Sequence, residues 1–154
     1  MNDDRGKIYK FVPISTLGAS IIVAVILRSF ASIATVIPFP YNFLGLIVVG
    51  FGMYIVFQSV RLLIMHNTTL EPNGSPSSLV TQCPYTFSRN PIYLGFLLII
   101  IGTAATLSSL SSFVAPLIFF LVVNAIIIPF EEKRLQRNFG IDYEKYKASV
   151  RRWI

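Results

Sequence analysis

Apolar residues fall into four runs. They cover residues 11–37, with Arg28 as the one charge, then 43–65, with Arg61 near its end, then 91–109 and 113–130. About 20 apolar residues cross a hydrocarbon core about 30 Å thick. No water reaches the backbone there, so each run has to close its own hydrogen bonds as a helix. The pattern predicts four spans with these boundaries. Short uncharged turns at 38–42 and 110–112 join the first pair and the last pair. The first run is too long for a signal peptide's apolar region of about 7–15 residues, and no small-x-small site closes it, so it reads as a permanent span.

A polar segment, 66–90, separates the second span from the third. It carries Pro72, Asn73-Gly74, Ser75-Pro76 and Cys83-Pro84, all turn or extended signals. Connections of that length in a small protein usually carry function. After the fourth run the tail, 131–154, turns charged. Gly140 breaks it, and Tyr143, Tyr146 and Val150 follow at i, i+3 and i+7, which is one face of a helix. That helix is predicted to be amphipathic and interfacial, lying on the membrane or folding back over the loop.

Composition narrows the class. Of 154 residues 54% are hydrophobic and only 13% charged, against about 25% charged in soluble domains. So small a body cannot hide that much apolar surface from water. The reading is one all-α, polytopic membrane-embedded domain over 1–154. One cysteine, Cys83, allows neither an internal disulfide nor a multi-cysteine metal site, and the single histidine, His66, has no partner set, so no metal is predicted.

The net charge of +6 reports topology. Arg5, Lys7 and Lys10 precede the first span; Lys133, Arg134, Arg137, Lys145, Lys147, Arg151 and Arg152 follow the last; the short turns have none. Positive residues stay in the cytoplasm, which puts both termini and the long loop there, with membrane lipids as partners. The basic segments lack the aromatic interleaving of nucleic-acid binders. Two glycosylation sequons, at Asn67 and Asn73, would then lie on the wrong side of the membrane. Arg28 is expected to snorkel outward or to face a polar cavity.

Three polar clusters share the predicted cytoplasmic face: the loop end 77–88, the segment 89–95 where the third helix starts, and 129–135 where the fourth leaves the bilayer. Pro91 suits a first helical turn, and Asn90 before it suits an N-cap. Free N–H groups at such a start attract an anion, and Arg89 adds a fork of donors. Glu131 and Glu132 are costly at a membrane edge unless solvated or paired, and a carboxylate accepts the paired donors of a diol.

Taken in order, Leu79-Val80-Thr81, Pro84-Tyr85, Ser88-Arg89-Asn90-Pro91-Ile92-Tyr93-Leu94-Gly95, Glu131-Glu132, Leu135, Phe139-Gly140, Tyr143, Tyr146, Val150 and Arg152-Trp153-Ile154 resemble the isoprenylcysteine carboxyl methyltransferase family, itself similar to the phospholipid N-methyltransferases. The resemblance implies transfer of a methyl group from S-adenosylmethionine to a lipophilic or prenylated acceptor entering from the bilayer. By position it assigns Ser77, Ser78, Leu79, Val80, Tyr85, Asn90, Pro91, Ile92, Tyr93, Glu131 and Glu132 to the cofactor, and Arg89, Asn90 and Tyr93 to catalysis. Three positions depart from the family pattern. Asn90 stands where histidine is usual, Cys83 where glycine is usual, and Ile127 where the eukaryotic enzymes carry a substrate-binding arginine. The Arg-x-Pro-x-Tyr segment also suits a small reductase using a nicotinamide cofactor, and the departures suit a non-catalytic scaffold.

Overall fold

The computed structural model describes residues 3–66 and 78–154, with side chains from residue 13 onward. Both sequons and Ser77 lie outside the described residues, as do the side chains of Arg5, Lys7 and Lys10. Among the described residues there is no strand, only an isolated bridge between Thr35 and Ser109. Helix α1 covers Asp3–Phe30, α2 Leu44–Met65 and α3 Pro91–Leu107. Helix α4, Val114–Val122, runs through a π-helical turn, Val123–Ile127, into α5, Ile128–Phe139; α6 covers Ile141–Ser149. Among the described residues three stretches are long and apolar enough to cross a membrane: Pro13–Phe30, Tyr41–Met65 and Leu110–Phe139. The fourth apolar helix, Pro91–Leu107, has 17 residues.

The apolar runs are not coextensive with the helices. The first helix ends at Phe30 rather than Ile37. Pro38 and Pro40 disfavour helical geometry before them, and Ile33, Thr35, Val36 and Ile37 are β-branched. The backbone of this extended stretch pairs with the turn after α3, where the Val36 amide donates to the Ser108 carbonyl at 3.1 Å and the Leu110 amide to the Ala34 carbonyl at 3.0 Å. Ser108 adopts the left-handed conformation (φ 56°) that ends α3, and its hydroxyl bonds the Ile37 carbonyl. Because α1 stops early, Arg28 lies in its last turn, where Nη1 donates to the Ser32 hydroxyl at 2.9 Å. At the other end, the helix of the fourth run does not stop at Phe130. It carries both glutamates on to Phe139.

Helices α2 and α3 make the most extensive contact in the fold. Gly45 and Gly52 of α2 face Gly102 and Gly95 of α3, so the backbones touch. A Cβ on Gly52 would come within 2.6 Å of the Gly95 carbonyl oxygen, and one on Gly95 within 2.7 Å of the Gly52 oxygen. Lipid offers no hydrophobic drive for helix association, and small residues at the seam permit the close packing that replaces it. The exposed surface of the helices is apolar: Ile47 is 68% exposed and Ile126 66%, as an annulus of lipid requires.

Two cores result. One lies within the bundle, from Ala24, Tyr93, Phe96, Ile100, Ala115, Phe119, Val123 and Ile128, with Trp153 against it. The other caps the polar end, where Tyr143 and Tyr146 of α6 pack on Val80 and Tyr85 of the loop, joined by Leu62, Leu135, Phe139 and Val150. The face formed by Tyr143, Tyr146 and Val150 therefore folds back over the loop.

Candidate active site

The loop end, the start of α3 and the first turns of α5 meet at the polar end of the bundle. Pro91 occupies the first turn of α3 and Asn90 the N-cap position, yet Asn90 does not cap. Its side-chain amide instead donates to the Arg152 carbonyl at 3.0 Å. The Ser88 hydroxyl donates to the same carbonyl at 3.4 Å and accepts from the Asn90 amide at 3.2 Å. The Arg89 amide donates to the Arg151 carbonyl at 3.0 Å. In place of the expected cap, the irregular C-terminal segment of the tail straps the helix start.

The two glutamates have different partners. Tyr93, one turn into α3, donates its hydroxyl to Glu131 Oε1 at 2.7 Å, and its ring stands edge-on to Phe96. Glu132 is buried and held by arginines. Arg152 binds it through both sides of its fork, Nε to Oε1 at 3.1 Å and Nη2 to Oε2 at 2.7 Å. Arg89 Nη1 lies 3.3 Å from Oε1. A fork-on-carboxylate pair fixes direction as well as distance. Arg152 also donates from Nη1 to Asn124 Oδ1 at 3.2 Å, and Trp153 Nε1 donates to the same oxygen at 3.1 Å. Asn124 belongs to the π-helical turn, a local irregularity that often marks functional sites. The Trp153 ring packs on Phe120, with centroids 5.1 Å apart.

Of the residues assigned from the sequence, the structure brings Tyr93 and Glu131 into direct contact, and Arg89 and Glu132 into an ion pair. Tyr85 is buried beside α6, where its carbonyl accepts from the Tyr146 hydroxyl at 2.7 Å. Burial pushes the Tyr85 hydroxyl well above its usual range, and the nearby Tyr146 and Glu131 add to this. Leu79 and Val80 belong to the tyrosine core, and Ile92 packs on the bundle core. The Ser78 hydroxyl donates to the His66 carbonyl at 3.3 Å. Asn124 was missed by sequence reasoning, and Arg152 was read as a topology charge and as part of the family pattern, with no place in the site. A lone asparagine inside an apolar run was the available signal, because such residues are expensive in a membrane and need a partner.

A family profile described as phospholipid methyltransferase matches residues 40–142. That match covers both glycine-paired helices, the helix start and the acidic pair. The chain belongs to this family. An uncharacterized protein of Haemophilus influenzae is 38% identical over 63 residues, which are 41% of this chain and all of that protein. Protein-S-isoprenylcysteine O-methyltransferase A of Arabidopsis thaliana is 39% identical over 72 residues, 47% of this chain and 36% of the plant protein. No solved structure matches the chain. The family is one of methyltransferases, which does not favour the reductase alternative, and the long apolar helices support an integral membrane protein.

Methyltransferases of this family imply S-adenosylmethionine, and the residues at the helix start fit such a molecule. The Arg89 guanidinium is 9% exposed, and its Nε is buried with no hydrogen-bond partner among the described residues. It can accept a carboxylate. Among the described residues Glu131 is engaged through Oε1 by Tyr93, and its second oxygen suits a hydroxyl or ammonium donor. Glu132, by contrast, has both oxygens engaged.

Proposed function

We propose that this protein transfers a methyl group from S-adenosylmethionine to a lipophilic acceptor at the membrane edge. The observation that carries the reading is the Tyr93–Glu131 hydrogen bond, 2.7 Å long, beside the Arg89–Glu132 pair. It joins the two helices that border the site and leaves one carboxylate oxygen and one guanidinium nitrogen for a ligand.

When bound, S-adenosylmethionine supplies a methyl carbon on a positively charged sulfur. Held by Glu131 and Arg89, it would offer that methyl to an acceptor's lone pair in a displacement that would leave a neutral thioether. Such a displacement needs alignment and a dry site more than an acid or base. The residues are suited to those tasks. Glu131 is placed to hold hydroxyl or ammonium groups, Arg89 to hold a carboxylate, and the Tyr85 and Tyr93 rings to border the cationic centre. The Asn90 side chain is engaged with the tail, which suits a positioning role and not proton transfer. Ser78, Leu79, Val80, Pro91 and Ile92 would complete the walls. Lipid or prenyl thioether chains, as in the substrate named for the plant relative, would approach through the bilayer.

The test is a labelled-methyl assay on membranes containing the full chain, with the labelled lipid or prenyl fraction identified. Alongside it, the unfolding midpoint in detergent is followed while S-adenosylhomocysteine or NADPH is titrated. Binding at 100 times the dissociation constant adds about 2.7 kcal/mol. The expected result is stabilisation by S-adenosylhomocysteine, none by NADPH, and loss of the shift in Glu131→Gln. No labelled product and no response to S-adenosylhomocysteine would overturn the reading.

A further inference from the structure

A cleft lies beside Glu132. It opens between α5 and α6, with a volume of about 400 Å³, and is lined by Pro129, Glu132, Lys133, Gln136, Arg137 and Lys147. Lys133 and Arg137 are one turn apart on α5, and Lys147 reaches the same space from α6. All three are exposed, and none is ion-paired among the described residues. The one carboxylate in the lining, Glu132, has both oxygens taken by Arg152 and Arg89. At the rim, Glu144 accepts from Gln136 Nε2 at 2.9 Å. Three cations therefore face the cleft against one carboxylate already neutralised and one at its border.

The cleft continues into apolar surface. Pro129 belongs to its lining, and the neighbouring positions Phe130 and Ile126 are 49% and 66% exposed. A cationic cleft that leads along one helix to lipid-exposed apolar side chains matches a molecule with an anionic head and hydrocarbon tails. We propose that it binds the phosphate of an anionic phospholipid, with the acyl chains lying along Ile126 and Phe130. The lining includes Glu132 and neither Glu131 nor Tyr93, which sets this lipid apart from the methyl acceptor proposed above. It would anchor the α5–α6 corner in the headgroup layer, where each basic residue adds attraction to anionic lipid.

The full chain is purified in mild detergent, reconstituted in phosphatidylcholine nanodiscs with a minor fraction of phosphatidylglycerol, and the lipid retained after delipidation is measured by native mass spectrometry. Lys133→Gln with Arg137→Gln should lower phosphatidylglycerol retention by about fivefold for each charge removed. Phosphatidylcholine retention and the helical signal should stay unchanged. Lys145→Gln with Arg151→Gln removes the same charge from exposed positions away from the cleft lining, and should change retention by less than about twofold. Equal loss in both pairs would overturn the proposal, because attraction would then be diffuse. So would full displacement of the lipid by soluble glycerol phosphate, which would make this a free-phosphate site. If the α5 pair unfolds the protein, Lys147→Gln on the other wall gives the same reading. None of these measurements depends on methyl transfer, so this proposal and the transferase reading fail separately.

Discussion

The two ends of helix α3 are held by opposite means. Along its membrane-embedded length it meets α2 through the absence of side chains, glycine against glycine, with backbones in contact. At its polar start it is held by charge and hydrogen bonds: Arg89 on Glu132, Glu132 on Arg152, Arg152 on Asn124. Shape suffices where every neighbour is apolar, because dispersion and close approach are the available attractions. It does not suffice at the edge, where the proposed cofactor site needs fixed charges and specific directions. Glu132 supplies the direction and Glu131, its neighbour, is left for a ligand. Adjacent residues on a helix point about 100° apart, so one carboxylate turns toward the arginines and the other toward Tyr93.

The charged end offers the larger effect. Glu132→Ala leaves Arg89 buried without its counter-ion, and breaking a buried pair from one side costs about 3–5 kcal/mol. The unfolding midpoint in detergent should fall steeply, and Arg152→Ala should fall less, because Arg152 is a third exposed and Glu132 keeps Arg89. Equal, small losses in both would show that the network is solvated and that the contrast with the glycine seam is false.

The seam is next. Gly52→Val brings a side chain against the Gly95 carbonyl, and overpacking of this kind costs about 1–3 kcal/mol. Gly50, two residues earlier, has nothing within 4 Å of its Cβ position. Gly50→Ala should therefore be neutral or stabilising by about 0.5–1 kcal/mol from helix propensity alone. Similar behaviour of the two variants in a thermal unfolding series would break the claim that α2 and α3 touch through their backbones.

These two regions were not equally legible in the sequence. The spans follow from runs of apolar residues, a local property, and the seven-residue spacing of Gly45 and Gly52 and of Gly95 and Gly102 was present to be read. Pairing them required the tertiary fold. The end of α1 was misjudged because 31–37 stay apolar while the prolines and the 108–110 turn draw the backbone out of the helix. At the site, Arg89, Tyr93 and the acidic pair were recognisable as chemistry. Which glutamate pairs with the arginines and which with Tyr93 depends on Arg152 and Asn124, 20 and 8 positions from Glu132 along the chain, and no local pattern reports that. Asn90 looked like a cap because its position is right; its Nδ2 donates to the tail's Arg152 carbonyl, and its side chain makes no cap hydrogen bond.

Gly140 gives an effect of similar size by a third means. It joins α5 to α6 at φ +51° and ψ −120°, a conformation that strains any residue with a Cβ. Nothing lies within 4 Å of its Cβ position, so Gly140→Ala isolates backbone strain of about 1–3 kcal/mol. It should loosen α6 and raise hydrogen exchange at Tyr143 and Tyr146 before it disturbs α2 and α3.

The smallest effect, and the one most specific to the polar end, is alkaline. Burial raises the hydroxyls of Tyr85, Tyr143 and Tyr146 above the ordinary value of 10.0. In the unfolded chain they lose their protons near pH 10, while in the folded chain they keep them. The folded state then binds more protons, and stability falls as pH rises. These groups stabilise fully below about pH 10, and each loses about 1.4 kcal/mol per pH unit above it until its folded form also ionises. Tyr146→Phe removes one such group together with its hydrogen bond to the Tyr85 carbonyl, which at neutral pH costs about 1 kcal/mol. Unfolding followed from pH 8 to 11.5 should show a shallower alkaline decline in Tyr146→Phe than in the parent, from a lower starting point. The glycine seam carries no titrating group, so Gly50→Ala should decline in parallel with the parent. A slope identical in Tyr146→Phe would mean that the tyrosine cap opens before the bundle does, and that α6 is not part of the cooperative unit.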